Sequence, residues 1–441
     1  MLITNATVVT WGTPNAVIND GALYFSGDRI VEVGASAELS AKYPDADRLD
    51  ARGQLLMPGN ICAHTHFYGA FARGMSVPGD PPKDFPEILE RLWWRLDRAL
   101  TPEDIRYSAL GALVNAARQG TTTLIDHHAS PQCVDGSLDV IAAAVRQSGV
   151  RCVLSYEVTD RNGADEARAG IAENMRFSAQ CKRQPDPLLA ASFGLHAGLT
   201  LSDTTLAACA GANPHGGFHV HVAEHEADEY HSLQLYQRRV VDRLHAFGIL
   251  GARSIAAHCV HIDMAEALLL RDTQTWVTHQ PRSNMNNAVG VADVEGLLRA
   301  GVRVALGNDG FSNAMWDEWK TAYLLHKAWH RDPQRAGGNQ IVQMAVVNNA
   351  ALAGVFFPQA PLGVLAAGAF ADMILVDYHA PTPLTAGNLP WQILFGFDAG
   401  MVTTTICGGK VLMRDRALLF LDEAQIAARS RELAAAVWQR F

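Results

Sequence analysis

From residue 56 to residue 307 the chain alternates short apolar runs with longer amphipathic stretches. The runs fall at 56–64, 121–127, 150–157, 188–196, 217–223, 254–259, 275–280 and 302–307, eight in all. Each is as short as a strand and too nearly continuous in its apolar residues to face water on one side, which is the texture of parallel strands covered on both faces. Helices fit the intervals. One follows the start signal Thr101-Pro102 in "TPEDIRYSALGALVNAARQ", and another, "DVEGLLRAG", closes on a glycine. Eight strand–helix alternations predict an α/β fold, a (β/α)8 TIM barrel, with its chemistry at the C-terminal ends of the strands.

The flanks have a different rhythm. Residues 1–56 read as short strands joined by Gly and Asn/Asp turns ("LITNATVVT", "GALYFSGDRIVEVG", "ARGQLLMPG"), and the same texture returns in "ADMILVDY", "VTTTICGGKVLMRD" and "ALLF". The two distant segments are expected to build one small β-sandwich domain. The division expected is therefore 1–56 sandwich, 57–360 barrel, 361–421 sandwich and 422–441 a final amphipathic helix, "DEAQIAARSRELAAAVWQRF".

Composition narrows the function classes. With 49% hydrophobic and 18% charged residues over 441 positions the chain is globular, and a net charge of -9 argues against nucleic acid or an anionic membrane as a partner. Seven cysteines, odd in number and never in CxxC spacing, suggest neither a disulfide framework nor a thiolate zinc site, so a cytoplasmic location is expected. The opening "MLITNATVVTWGTPN" lacks the basic and long apolar regions of a signal peptide, and no run approaches a membrane span. Seventeen histidines are the oddity.

Those histidines stand where barrel chemistry belongs. The first strand ends in His64 and His66, the second in His127 and His128, the fourth in His196, the fifth in His219, His221 and Glu224, the sixth in His258, the seventh in His279, and Asp309 follows the eighth. Taken singly, each has a plain reading: HxH as a solvated pair, His258 as a core histidine, Asp309 as a turn cap before Gly310, Glu224 as a surface carboxylate like Glu226, Asp228 and Glu229 in "AEHEADE". Their joint placement at one end of successive strands favours a single metal centre. Imidazoles and a carboxylate suit Zn or Fe(II).

The stretches "PGNICAHTH", "HVHVAEH", "AAHCVH", "THQPRSNMNN" and "LGNDG", in this order, resemble the amidohydrolase superfamily, in its cytosine-deaminase-like branch of triazine hydrolases, guanine deaminases and S-adenosylhomocysteine deaminases. Within the branch, "LWWRLDRAL" (92–100), "IDHHASP" (125–131), "TDRNG" (159–163) and "RSNMNN" (282–287) are most similar to the SsnA aminohydrolases. The resemblance implies a ligand set of His64, His66, His221 and Asp309, with His219 as the alternative to His221 on the same strand face. It implies one divalent ion, zinc first and iron second, since "LLAASFGLH" offers no lysine to bridge a pair.

By the same resemblance the reaction is hydrolytic deamination of an aminated purine-, pterin-, pyrimidine- or triazine-like ring. The ion lowers the pKa of its water from ~15.7 towards ~7 to make the attacking hydroxide. Asp309 would accept the water proton, His258 would hold the oxygen, and Glu224 would move a proton to the ring nitrogen and on to the departing ammonia. His196 would contact substrate, as would one of His127 and His128, with His128 favoured. Phe67 and Tyr68 offer faces for a planar ring or a plain packing role, Arg282 and Asn284 offer polar edges, and Trp93 and Trp94 would cap the site. The same centre could instead expel chloride or a substituted amine, or open a cyclic amide. A catalytically dead scaffold is disfavoured because every expected group is present. The partner expected is a small heterocycle, in a homo-oligomer of two or more copies.

Overall fold

The computed structural model describes residues 1–441. Its centre is a ring of parallel strands: Asn60–Thr65, Thr121–Asp126, Arg151–Leu154, a fourth in two pieces (Leu189–Ala191 and Phe193–Ala197), Phe218–Val222, Ile255–His258, Trp276–His279 and Arg303–Leu306. The break in the fourth strand, at Ser192, lets the first piece pair with the third strand and the second with the fifth.

Closure happens between the eighth strand and the first. The amides of Asn308 and Asp309 both donate to the His64 carbonyl at 3.0 Å, and the His66 amide donates to the Asp309 carbonyl at 3.2 Å. The approach is so tight that a Cβ on Gly307 would lie 2.8 Å from the His64 nitrogen and oxygen, which only glycine avoids. This contact brings the start of the barrel and its end, far apart in sequence, to one point.

The helices begin and end where capping chemistry says they should. Pro102–Arg118 starts in a capping box, the Thr101 hydroxyl accepting from the Asp104 amide while the Asp104 carboxylate accepts from the Thr101 amide at 2.8 Å. Val294–Arg299 starts on Asp293, and Gly301 follows it at φ +86°. The last helix, Glu423–Arg440, lies against Pro102–Arg118 through Arg429–Glu103 (2.9 Å) and Arg440–Asp104 (2.5 Å). No helix is long and apolar enough to cross a membrane.

The flanking segments do join. Their nine strands form one hydrogen-bonded sheet, in which Leu55–Pro58 runs antiparallel to Met373–Val376. The run expected as one strand over 56–64 is therefore divided: Leu55–Pro58 belongs to this sheet and the barrel strand begins at Asn60. Side chains alternate with period two. Met373 and Leu375 join a 15-residue core inside the β-domain, with Leu23, Phe25 and Ile30, while Ile374 and Val376 join the barrel's core. A buried bidentate pair pins the two units: Arg151 Nε and Nη2 lie 3.0 and 3.1 Å from the Asp372 oxygens, and Asp372 also accepts the Gly408 amide.

Candidate metal centre and cavity

The strand ends aim their side chains at the barrel mouth, where His66 Nε2 lies 3.2 Å from His221 Nε2 and 3.1 Å from Asp309 Oδ1. His64 Nε2 is 3.8 Å from the same carboxylate oxygen. Next to these, His258 Nε2 stands 3.4 Å from Glu224 Oε2. The Nε2 atoms of His64 and His258 are buried with no hydrogen-bond partner. Buried polar atoms seldom stay unpaired without a ligand to receive.

A back row of hydrogen bonds settles which nitrogen each ring presents. His66 Nδ1 meets the His127 carbonyl at 2.6 Å, and His221 Nδ1 meets the His196 carbonyl at 2.8 Å. His258 Nδ1 meets Asn284 Oδ1 at 2.8 Å, and His64 Nδ1 meets His219 Nε2 at 2.8 Å. A carbonyl only accepts, so His66 and His221 carry the proton on Nδ1 and turn a lone pair on Nε2 to the common point. The chemistry of the donor set fits one divalent ion.

The electrostatics agree. Burial, reinforced by the surrounding imidazoles, holds His64 and His221 well below the usual histidine range and so neutral, the form that binds metal. Burial opposes charge on His66 too, but its contact with Asp309 wins and pushes it up to about 9, so that with no ion bound a second proton sits on Nε2 against that carboxylate, in the place a metal cation would take. Burial and then the Asp309 charge raise the Glu224 carboxyl well above its ordinary value. The backbone is strained at the same places: Ala223, His258 and Asp309 have φ of 45°, 72° and 55°. Such left-handed non-glycine residues cost about 1–3 kcal/mol each and gather at functional sites.

A cavity of about 560 Å³ opens above these groups, with His66, His221, Glu224 and Asp309 on its wall. Tyr68, Phe85, Leu89, Trp93, Trp94 and Phe311 supply its apolar faces, and His196 reaches it with Nδ1 held by the Thr200 hydroxyl at 2.7 Å. Four residues expected on substrate do not reach it. Phe67 turns into the core while its neighbour Tyr68 faces the cavity. His128 is buried against the Ser130 hydroxyl at 2.9 Å. Arg282 is taken up by Glu318 (2.5 Å) and the Ser312 carbonyl (2.7 Å), and Asn284 sits behind His258. The same helical turn, Pro281–Asn286, and the residue after it present Ser283, Asn286 and Asn287 instead.

Two further expectations change. Glu226 is exposed, but Asp228 and Glu229 are buried. Asp228 accepts the Ala223 amide at 2.9 Å, and Glu229 accepts the Val240 amide and faces Arg239, both at 3.3 Å. They tie down the turn that carries Glu224 and the helix that follows. His279, at the end of the seventh strand, is fully buried beside His326 and stands off the cavity. Sequence reading passed over Glu157, Ser283 and Asn287. Glu157 ends the run "VRCVLSYE", and the rule applied to the other strand ends would have flagged it. Ser283 donates to Asp309 Oδ2, and Asn287 Nδ2 lies 3.3 Å from that serine hydroxyl and 3.5 Å from Glu224 Oε1.

Comparison with known proteins is consistent from end to end. The amidohydrolase family model matches residues 55–412, and an imidazolonepropionase-like composite domain of bacteria matches 21–46. A 5'-deoxyadenosine deaminase of Methanosarcina mazei is 31% identical over 440 residues, covering 98% of this chain and 97% of its own. A 5-methylthioadenosine/S-adenosylhomocysteine deaminase of Pelotomaculum thermopropionicum is 32% identical over 445 residues, covering 98% of each. Among solved structures, an adenosine deaminase from Xanthomonas campestris with bound zinc superposes with a TM-score of 0.87 at 25% identity, covering 99% of this chain and 98% of that one. The zinc complex of an atrazine chlorohydrolase from Arthrobacter aurescens has a TM-score of 0.82 at 21% identity over 98% and 99%, a likeness of fold.

Proposed function

The chain belongs to the amidohydrolase family, and from that membership we propose that it is a hydrolytic deaminase of a small aminated nitrogen heterocycle, working with one divalent ion. The observation that carries this reading is the meeting of His66 Nε2, His221 Nε2 and Asp309 Oδ1, 3.2 and 3.1 Å apart, beneath a cavity that also holds Glu224. His64, His66, His221 and Asp309 are the proposed ligands. His219 is assigned the rear position because its Nε2 is engaged with His64. Zinc is the proposed ion, in keeping with its presence in the adenosine deaminase of similar fold.

When bound, the ion supplies the Lewis acidity that lets water attack at neutral pH. Asp309 takes the first proton that the water loses, with Oδ2 steadied by Ser283. His258, its Nδ1–H donated to Asn284, turns the Nε2 lone pair to the water and holds the remaining O–H in line. Glu224, whose hold on a proton is strengthened by burial and by Asp309, gives that proton to the ring nitrogen beside the amino-bearing carbon. The C=N electron pair moves onto that nitrogen as the C–O bond forms. The proton held by Asp309 then passes to the exocyclic amine, the C–N bond breaks, ammonia leaves, and the second water proton returns to Glu224. Tyr68 and Trp93 offer faces for the flat ring, and His196 a polar contact.

The same reading includes a cytoplasmic enzyme, in keeping with seven free cysteines, and a homo-oligomer, in keeping with exposed Trp391 and Phe395. The test is ammonia release and ultraviolet change across a panel of aminated purines, pterins, pyrimidines and triazines, with zinc- and iron-loaded samples. Ammonia from at least one ring is expected. Chloride release, or amide opening without ammonia, by fully loaded protein would overturn the deaminase assignment.

A further inference from the structure

Glu157 follows the third barrel strand, its amide donating to the His128 carbonyl at 2.8 Å. The residue is only 2% exposed, yet it forms part of the cavity wall. Its Oε1 lies 3.1 Å from His127 Nδ1 and 3.5 Å from His66 Nδ1, and neither is a hydrogen bond. The His66 nitrogen is directed at the His127 carbonyl, and His127 makes its own hydrogen bond through Nε2, to the His219 carbonyl at 3.0 Å. A carboxylate has room for several donors. This one is buried in the cavity wall with two imidazoles close enough to attract it but with no protein N–H aligned on it.

Its depth says what should meet it. Ligating atoms of Glu157, His66, His127 and His221 all lie within 4.8 Å of one another, and Glu157 shares the cavity wall with His66, His221 and Glu224, so the carboxylate stands beside the proposed ion site. The amino-bearing carbon must come to that site to react. Atoms of the ring itself, a few bonds from that carbon, therefore come within reach of Glu157 on the shared wall.

A carboxylate accepts hydrogen bonds and donates none. An adenine substituted at N9 carries only acceptor nitrogens in its ring, and these would face Glu157 lone pair to lone pair. Guanine, cytosine and pterin rings carry an N–H. We infer that Glu157 reads the substrate, and that the substrate is an aminated heterocycle presenting a ring N–H to it, in preference to an N9-substituted adenine. This rests on the deaminase reading above. It also separates this chain from relatives named for 5'-deoxyadenosine and S-adenosylhomocysteine.

The experiment compares kcat and KM of the zinc-loaded enzyme on guanine, cytosine and pterin with those on 9-methyladenine and 5'-deoxyadenosine, for the wild type and Glu157→Gln, with metal content and melting temperature recorded. A site built around a ring donor rejects analogues lacking it by large factors. The wild type is expected to favour a ring bearing N–H by at least ~100-fold in kcat/KM. Glu157→Gln, whose amide can donate, should narrow that preference by ~10-fold or more at unchanged metal content. Turnover of 9-methyladenine or 5'-deoxyadenosine as the best substrate overturns the inference and leaves the deaminase reading standing. So does an equal loss on all substrates in Glu157→Gln, which would make Glu157 a brace for His66 and His127. Ammonia from none of the rings overturns both.

Discussion

Replacing His219 and His221 one at a time separates a residue that holds the ion from one that stands behind it. Both lie on the same face of Phe218–Val222, and both are buried. His221 Nε2 faces His66 Nε2 at 3.2 Å, whereas His219 Nε2 faces His64 Nδ1 at 2.8 Å. Loss of the His219 ring leaves all four proposed ligands in place but frees His64 to turn or change tautomer. Partners of this kind are worth about 10–100-fold in metal affinity, or about 1.4–2.7 kcal/mol. Loss of His221 removes a ligand outright: a zinc site worth about 10–16 kcal/mol over four ligands gives up roughly a quarter, about 2.5–4 kcal/mol or ~70–900-fold in affinity. The assay is competition against chelators of graded strength, with bound metal counted by elemental analysis and folding followed by circular dichroism. His219→Gln, which keeps an acceptor for His64, should fall between the wild type and His219→Ala. Full metal in His221→Ala together with an empty site in His219→Ala would refute the assignment and exchange the two roles.

Glu224→Gln should keep its metal and fall by ~10²–10⁴ in kcat, since it removes only the proton carrier; loss of metal would place Glu224 among the ligands. Gly194→Ala would set a Cβ 2.3 Å from the Tyr156 carbonyl oxygen, a main-chain atom with little freedom to yield. It should lower stability by about 1–3 kcal/mol in urea unfolding, and an unchanged midpoint would contradict the close approach. Burial, then the Glu266 charge, pushes Glu229 up to about 8. Its raised folded pKa gives stability that is full below the unfolded value of about 4.3 and is lost as pH rises to about 8. Glu229→Gln escapes that loss, so its melting temperature relative to wild type should climb between about pH 5 and 8 and level off above; a constant difference would refute the shift.

Much of the barrel was legible because its strands are apolar on both sides and so stand out from amphipathic helices. The proposed ligand set was suggested by position, since histidines at the ends of buried strands gather near the mouth, but position alone misleads at His279, which ends such a strand and packs beside His326 away from the cavity. What escaped depended on partners distant in sequence. Arg282 reads as a free donor fork until Glu318 folds against it, and Asp228 and Glu229 read as a solvated run until the following helix tucks its first turn beneath Ala223. The division of 56–64 escaped because both halves are apolar; only pairing with Met373–Val376 distinguishes them. Glu157 was visible in principle, by position alone.

The back row of hydrogen bonds shows why histidine counting has a limit. His66 and His221 are oriented by the main-chain carbonyls of His127 and His196, on neighbouring strands. Any residue at 127 or 196 would supply the same acceptor, so the choice of Nε2 is made by the parallel barrel, strand beside strand, without those side chains. His64 and His258 are different, since their partners are the His219 ring and the Asn284 amide. Substitution at 219 or 284 can therefore change which nitrogen is presented, whereas substitution at 127 or 196 acts through packing or substrate contact. For His66 and His221 the hydrogen bond on the far side of the ring leaves Nε2 free for an ion, and for His219 the contact with His64 takes Nε2 away, so the far-side partner, and not the count of histidines, separates the proposed ligands from their supports.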